Sequence, residues 1–162
     1  MAMKILVCVV AFLSFSVSLA AQGTNRSSGQ GYVFFAPGVG DIGPGNETTL
    51  QLGVGGEGFI YRGLGLGVEI GPVGLWPGRY EYSPTGLGSA NLSYHFLRDR
   101  NVEPFVTAGY SMFFRHGISQ GSNFGEGVNV WLNENMAMRF EVRHHESRLR
   151  YNTGFRIGVT FR

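Results

Sequence analysis

From about residue 30 to the end, apolar and polar positions alternate along the chain. The cleanest case is 154–162, where Phe155, Ile157, Val159 and Phe161 hold the odd positions and Arg156, Gly158, Thr160 and Arg162 the even ones. A period of two sends these sets to opposite faces of a strand, one wholly apolar and the other polar or very small; a helix would scatter them around its circumference. Residues 48–61 repeat the pattern, with Leu50, Leu52 and Val54 against Gln51, Gly53, Gly55 and Glu57. So do residues 64–71, with Leu64, Leu66, Val68 and Ile70 against Gly65, Gly67, Glu69 and Gly71. Segments 88–96, 105–114, 124–132 and 136–143 follow the same rule. Segment 30–37 is apolar on both faces, so its pattern does not say which face is which.

The pattern therefore predicts eight strands. The segments between them, rich in Gly, Pro, Asn and Asp, read as connections of alternating length: long at 38–47, 72–84, 115–122 and 144–153, short at 61–63, 97–103 and 133–135. Long loops on one side and short turns on the other are the mark of an outer-membrane barrel, and an even strand number puts both chain ends on the same side. The expected fold class is all-β, an eight-stranded antiparallel up-and-down transmembrane β-barrel with its apolar faces outward. One residue breaks the rule: Glu126 shares the outward parity of Val128. A bulge between Gly125 and Gly127 would turn it inward, or it lies above the apolar band.

Composition supports a barrel. The chain has 26 glycines and is 15% charged and 14% aromatic, against about 25% charged in soluble domains. Its first 21 residues read as an export signal: Lys4, an apolar run from Ile5 to Val17, then Ser18-Leu19-Ala20 as a cleavage site. Residues 22–162 are then the barrel domain, and the expected localisation is the cell outer membrane. Cys8 is the only cysteine, which leaves the barrel no thiol for a disulfide or metal site. Lys4 is the only lysine, so the barrel's arginines and acids nearly balance, and no basic run points to nucleic acid.

The chain resembles the small outer-membrane β-barrel family of the OmpA/OmpX type over about residues 30–162. The resemblance rests on Phe124-Gly-Glu-Gly-Val-Asn-Val-Trp-Leu, on Met138-Arg-Phe-Glu-Val-Arg and on the closing Gly154-Phe-Arg-Ile-Gly-Val-Thr-Phe. It implies a last strand, with outward Phe155, Ile157, Val159 and Phe161, that the barrel-assembly machinery recognises during insertion. Phe161 would be the terminal aromatic, although Arg162 follows it.

Four constellations carry candidate chemistry. The first is the inward set Glu57, Glu69, Arg139, Glu141, Arg143 and Arg156, with His95 near it. Opposite charges inside a narrow barrel must pair, either as a plug that fills the lumen or as a gate in an ion path. The second is Arg79 and Arg115, with Arg143, Arg148 and Arg150, on the outer side, where arginine would hold the phosphates of lipopolysaccharide. The third is His144-His145-Glu146-Ser147. Some small barrels that deacylate lipid A use a His-x-Ser pair with an acid; here parity turns His145 and Ser147 toward the lumen, and Arg148 stands where those enzymes commonly carry Asn. The fourth is aromatic: Tyr32, Trp76, Tyr80, Tyr82, Tyr94 and Phe96 as an interface girdle, and Trp131 either in that girdle or capping the lumen floor. The expected role is structural, adhesive or lipid-contacting, for a monomer among outer-membrane lipids and lipopolysaccharide. No catalytic residue, metal or cofactor is assigned. The alternatives are a small passive pore, a lipid A-modifying hydrolase, and a soluble barrel whose apolar faces turn inward around a ligand.

Overall fold

A computed structural model describes residues 28–41, 46–75, 84–98, 100–115, 117–148 and 150–162. Residues 1–21, where the sequence suggests an export signal, and Trp76, Arg79, Tyr80 and Tyr82 lie outside the described residues. The strands are β1 (Gly29–Gly40), β2 (Glu47–Tyr61), β3 (Leu64–Leu75), β4 (Thr85–His95), β5 (Val102–Phe114), β6 (Ile118–Trp131), β7 (Met136–Ser147) and β8 (Tyr151–Phe161). Each pairs antiparallel with its neighbours in sequence, and β8 returns to β1, so the sheet closes into a barrel without a free edge. Closure is how a barrel satisfies every backbone N–H and C=O where no water can do so.

The two faces follow the alternation. Leu52, Val54, Leu66, Val68, Ile70, Val106, Val142 and Phe155 are exposed on the outer wall. Glu57, Glu69, Ser89, Asn129, Arg139, Glu141, Arg143 and Arg156 are buried within. This is the reverse of a water-soluble core and rules out the alternative of an inward apolar lining. β1, whose pattern carried no facing, turns Tyr32, Phe34 and Ala36 inward and exposes Val33, Phe35 and Val39. The inward glycines of β2 make room for those rings: a Cβ on Gly53 or Gly55 would collide with Phe34 or Tyr32. The β2–β3 turn needs positive φ at both central residues, 36° at Arg62 and 94° at Gly63, the requirement of a two-residue hairpin loop that suits strand twist.

The strands run further than the pattern predicts. β6 starts at Ile118 rather than 124, so the β5–β6 connection is only 115–117; likewise β7–β8 is 148–150 rather than 144–153. The expected alternation of long and short connections therefore fails, because 96–101 is longer than either of them. Residues 119–123 are polar or glycine on both faces, so alternation is lost where the strand rises past the apolar band, while its backbone stays paired with β5 throughout and with β7 from Gly121. β3 passes through Pro72: its pairing with β2 lapses at Gly71–Pro72, where one N–H is missing, and resumes at Val73 in the same register.

The expected bulge at Glu126 is absent. Glu126 pairs opposite Val106 on β5 and Val142 on β7 in ladders that run past it without a shift. The residue therefore points outward and is exposed.

Candidate functional site

Buried charged and polar side chains project into the lumen in three tiers. In the middle tier Glu141, 1% exposed, meets all three buried arginines. Its Oε2 accepts from Arg139 Nε at 3.0 Å, its Oε1 accepts from Arg143 Nε, and Arg156 NH1 lies 3.5 Å from Oε1. Glu69, across the barrel on β3, takes Arg156 in a two-pronged bond, NH1 and NH2 each at 2.9 Å, while Arg143 NH2 approaches to 3.8 Å and the Tyr32 hydroxyl donates at 3.2 Å. Paired planar bonds of this kind fix orientation as well as charge. Aromatic faces complete the tier: Arg156 sits 4.2 Å above the Phe34 ring centroid, and Arg139 lies 4.4 Å and 4.0 Å from those of Tyr32 and Phe105.

The floor is built around Glu103 and His95. His95 Nδ1 lies 2.6 Å from Glu103 Oε1, and its Nε2 is 3.1 Å from Glu57 Oε1 but out of line for a hydrogen bond. The other oxygen of Glu103 accepts from Trp131 Nε1 at 3.1 Å and from Arg162 NH2 at 2.7 Å. The Arg162 guanidinium lies 3.5 Å from the Trp131 ring centroid. Glu57 also accepts from Gln30 and Ser93.

Above the middle tier polar bonds give way to a partly apolar cover. Arg143 NH1 donates to Asn123 at 2.7 Å, Asn123 donates to Ser111 at 2.9 Å, and Ser111 meets His145 Nδ1 at 2.8 Å. His145 Nε2 in turn lies 2.9 Å from Arg156 NH2. Val73, Leu87 and Phe113 pack together on one side, with Leu75 against them.

The six charges singled out from the sequence, Glu57, Glu69, Arg139, Glu141, Arg143 and Arg156, all lie in the lumen. Glu69, Glu141, Arg143 and Arg156 form one cluster, and Arg139 links it to Glu57 at 3.9 Å. Parity had already turned Trp131 inward; it stands over the floor as a donor to Glu103. Tyr32 does not belong to the interface girdle where the sequence placed it: it is buried in the lumen. Tyr94 and Phe96 do face outward, ring centroids 4.9 Å apart.

Sequence reasoning missed Glu103, because the charged run before it read as a turn; its parity with Phe105 was the available signal. His145 and Ser147 are not bonded to each other. Ser147 meets Ser119 at 3.0 Å and donates to the Arg150 carbonyl, while His144 faces outward and bonds Thr153 at 2.6 Å. At the rim opposite the floor, Arg148 is exposed and Arg150 NH1 reaches Thr85 at 3.3 Å; Arg143, expected in that group, is buried in the lumen instead. Arg115 follows β5. Phe155 and Phe161 are exposed on the outer wall of β8, with Ile157 and Val159 half-buried between them. Among the described residues no group of three side chains could hold a metal ion.

No family model matches the chain, and no curated protein is similar to it in sequence. Solved structures do match. Neisserial surface protein A is similar with a TM-score of 0.65 and 15% identity, over 85% of this chain and 99% of that one. The N-terminal β-barrel domain of Pseudomonas aeruginosa OprF gives 0.60 at 15% identity, over 85% and 100%. Ail, the attachment invasion locus protein of Yersinia pestis, gives 0.59 at 10% identity, over 85% and 99%. At such identities the likeness concerns the fold. In fold, then, this chain is a small eight-stranded barrel of the kind these outer-membrane proteins share.

Proposed function

We propose that the chain is an integral outer-membrane barrel with a closed lumen, whose work is structural or is done by its outer rim in adhesion or lipid contact. The observation that carries this reading is Glu141 among Arg139, Arg143 and Arg156, with Glu69 bridging two of the same arginines from the opposite wall. Charges so placed neutralise one another across the barrel axis and leave their side chains in the path a solute would take. An eight-stranded barrel is about wide enough for side chains to fill. The exposed apolar wall supports insertion, and the fold it shares with outer-membrane barrels supports that location. In planar bilayers the purified barrel is expected to give no discrete current steps. Steady unitary openings from the wild-type chain would establish the passive-pore reading instead.

The rim arginines give the lipid-contact role its chemistry. Arg115, Arg148 and Arg150 stand in the neighbouring connections at 115–117 and 148–150, and guanidinium groups bind phosphate in a planar fork. We expect Arg148→Gln together with Arg150→Gln to lower the lipopolysaccharide that co-purifies with the barrel. Unchanged co-purification would remove the anchoring role.

A further inference from the structure

Along the lumen face of β4 the inward residues Ser89, Asn91 and Ser93 stand in a row, and all three are buried. Asn91 is 7% exposed, yet neither the oxygen nor the nitrogen of its side-chain amide bonds to any group among the described residues. Buried polar groups are, with few exceptions, bonded to protein or to ordered water. The ladder partners of Asn91 are Gly67 on β3 and Gly109 on β5, so neither neighbouring strand puts a side chain beside it. A Cβ on Gly109 would come within 2.5 Å of Asn91 Oδ1.

The bonds on either side of Asn91 fix which way the protons point. Arginine only donates, so His145 Nε2 accepts from Arg156 NH2, the ring proton sits on Nδ1, and that proton goes to Ser111 Oγ. Asn123 uses its oxygen for Arg143, so its nitrogen donates to Ser111 as well. With both acceptor positions taken, Ser111 Oγ gives its one proton to Ser89 Oγ, 2.9 Å away. Ser89 then has its own proton to give. On the other side of Asn91, Ser93 donates to the Glu57 carboxylate, and its oxygen keeps the capacity to accept. A donor stands on one side, an acceptor on the other, and between them lies an amide with one of each.

We propose that Asn91 is a water-binding residue: one water joins Ser89 to Asn91 Oδ1, another joins Asn91 Nδ2 to Ser93, and together they complete a single directed chain of hydrogen bonds from Arg156 through His145, Ser111, Ser89, Asn91 and Ser93 to Glu57. Successive inward residues on a strand are about 7 Å apart. One water with two bonds of about 2.8 Å covers that span once the side chains lean toward it. Every link then donates in the same direction, from a guanidinium to a carboxylate, so each bond polarises the next. The chain ties the Arg156–Glu69 pair of the middle tier to the Glu57 side of the floor along the β4 wall, apart from the 3.9 Å approach of Arg139 to Glu57. The inference goes beyond the closed-lumen reading and does not need it, since a held water is not the mobile water that would carry ions.

The test is solution NMR on the full barrel folded in detergent micelles, with the side chains of asparagine and glutamate isotope-labelled. In the wild-type chain the Asn91 amide protons are expected to cross-relax with water with the sign that held water gives and surface water does not. Ser89→Ala removes the donor above Asn91 and should shift the carboxyl carbon resonance of Glu57, to which Ser89 is not bonded. In a chain that also carries Asn91→Leu, which fills the space and passes no hydrogen bond, Ser89→Ala should leave Glu57 unmoved. Asn91 amide protons that show surface-type water contact, or none, overturn the proposal, and this measurement needs no variant to fold. So does a Glu57 resonance that Ser89→Ala leaves in place, or moves equally in the leucine chain, since the link would then run through the wall and not through Asn91. Held water at Asn91 together with steady unitary openings in planar bilayers would remove the closed lumen and leave the chain of bonds standing.

Discussion

Replacing Glu141 by alanine is expected to cost about 3–5 kcal/mol of barrel stability, the usual penalty for removing one partner of a buried ion cluster. Among the described residues Glu141 is the only carboxylate that Arg139, Arg143 and Arg156 all approach. Without it the nearest carboxylate to Arg139 is that of Glu57, at 3.9 Å, and the nearest to Arg143 is that of Glu69, at 3.8 Å, although Arg143 also keeps its bond to Asn123. Arg156 retains its two 2.9 Å bonds to Glu69, so the deficit falls on the first two. The measurement is the urea midpoint in lipid vesicles, followed by the fluorescence of the lumen residue Trp131. Glu141→Gln keeps an acceptor oxygen and should lose less than alanine, because desolvated N–H groups then stay bonded even though the charge is gone. Glu141→Ala combined with Arg143→Leu should lose less than the two single changes added together, since the second substitution removes one of the stranded charges. A midpoint shift for Glu141→Ala worth less than about 1 kcal/mol would mean that water already screens the cluster, and the closed-lumen reading would fail with it.

How far the sequence discloses this barrel depends on the chemistry of each wall. Where the lumen side is glycine or charge, as along Gly65, Gly67 and Glu69, a period of two names both faces without ambiguity. On β1 it does not, because the lumen here is partly aromatic. Tyr32 and Phe34 lie beneath Arg139 and Arg156, and a ring that faces a guanidinium is as suited to a charged interior as to lipid. Phe105, Phe113, Leu87 and Val73 face the lumen for similar reasons of filling, so apolar character alone marks neither side. Strand ends are hidden by a different cause. At Ser119, Gln120, Ser122 and Asn123 both faces are polar, although the backbone ladder continues. Alternation is a property of the surroundings and stops with the apolar band, whereas hydrogen bonding continues beyond it. Glu103 was obscured by the acids and bases of the turn before it. Glu126 drew attention because it broke the alternation, and the bulge invoked to mend the break was not needed.

The second large effect is a charge moved to the outer wall. Ile157→Arg, at mid-strand on β8 between Phe35 and Phe140 in the two ladders, is expected to cost about 2–4 kcal/mol and to reduce insertion into vesicles, read as the fraction of chain with shifted mobility on unheated gels. Ile118→Arg puts the same charge on an outward position that is 64% exposed at the far end of β6, where the cost should be near zero, about 0–1 kcal/mol. Both substitutions exchange an outward isoleucine for arginine on a paired strand, so side-chain size and strand propensity largely cancel between them. What differs is depth. In a barrel that met water along its whole outer wall, the two variants would behave alike, because a surface arginine is solvated at any height. A steep contrast between Ile157→Arg and Ile118→Arg therefore reports hydrocarbon against the middle of the wall, and equal behaviour would show that Phe155, Val142, Val68 and Leu66 face something other than acyl chains. The same gradient explains why the lumen holds the arginines of β7 and β8. At positions 139, 143 and 156 the chain crosses the band with its charges turned toward Glu141 and Glu69, the one side of the wall where they find opposite charge.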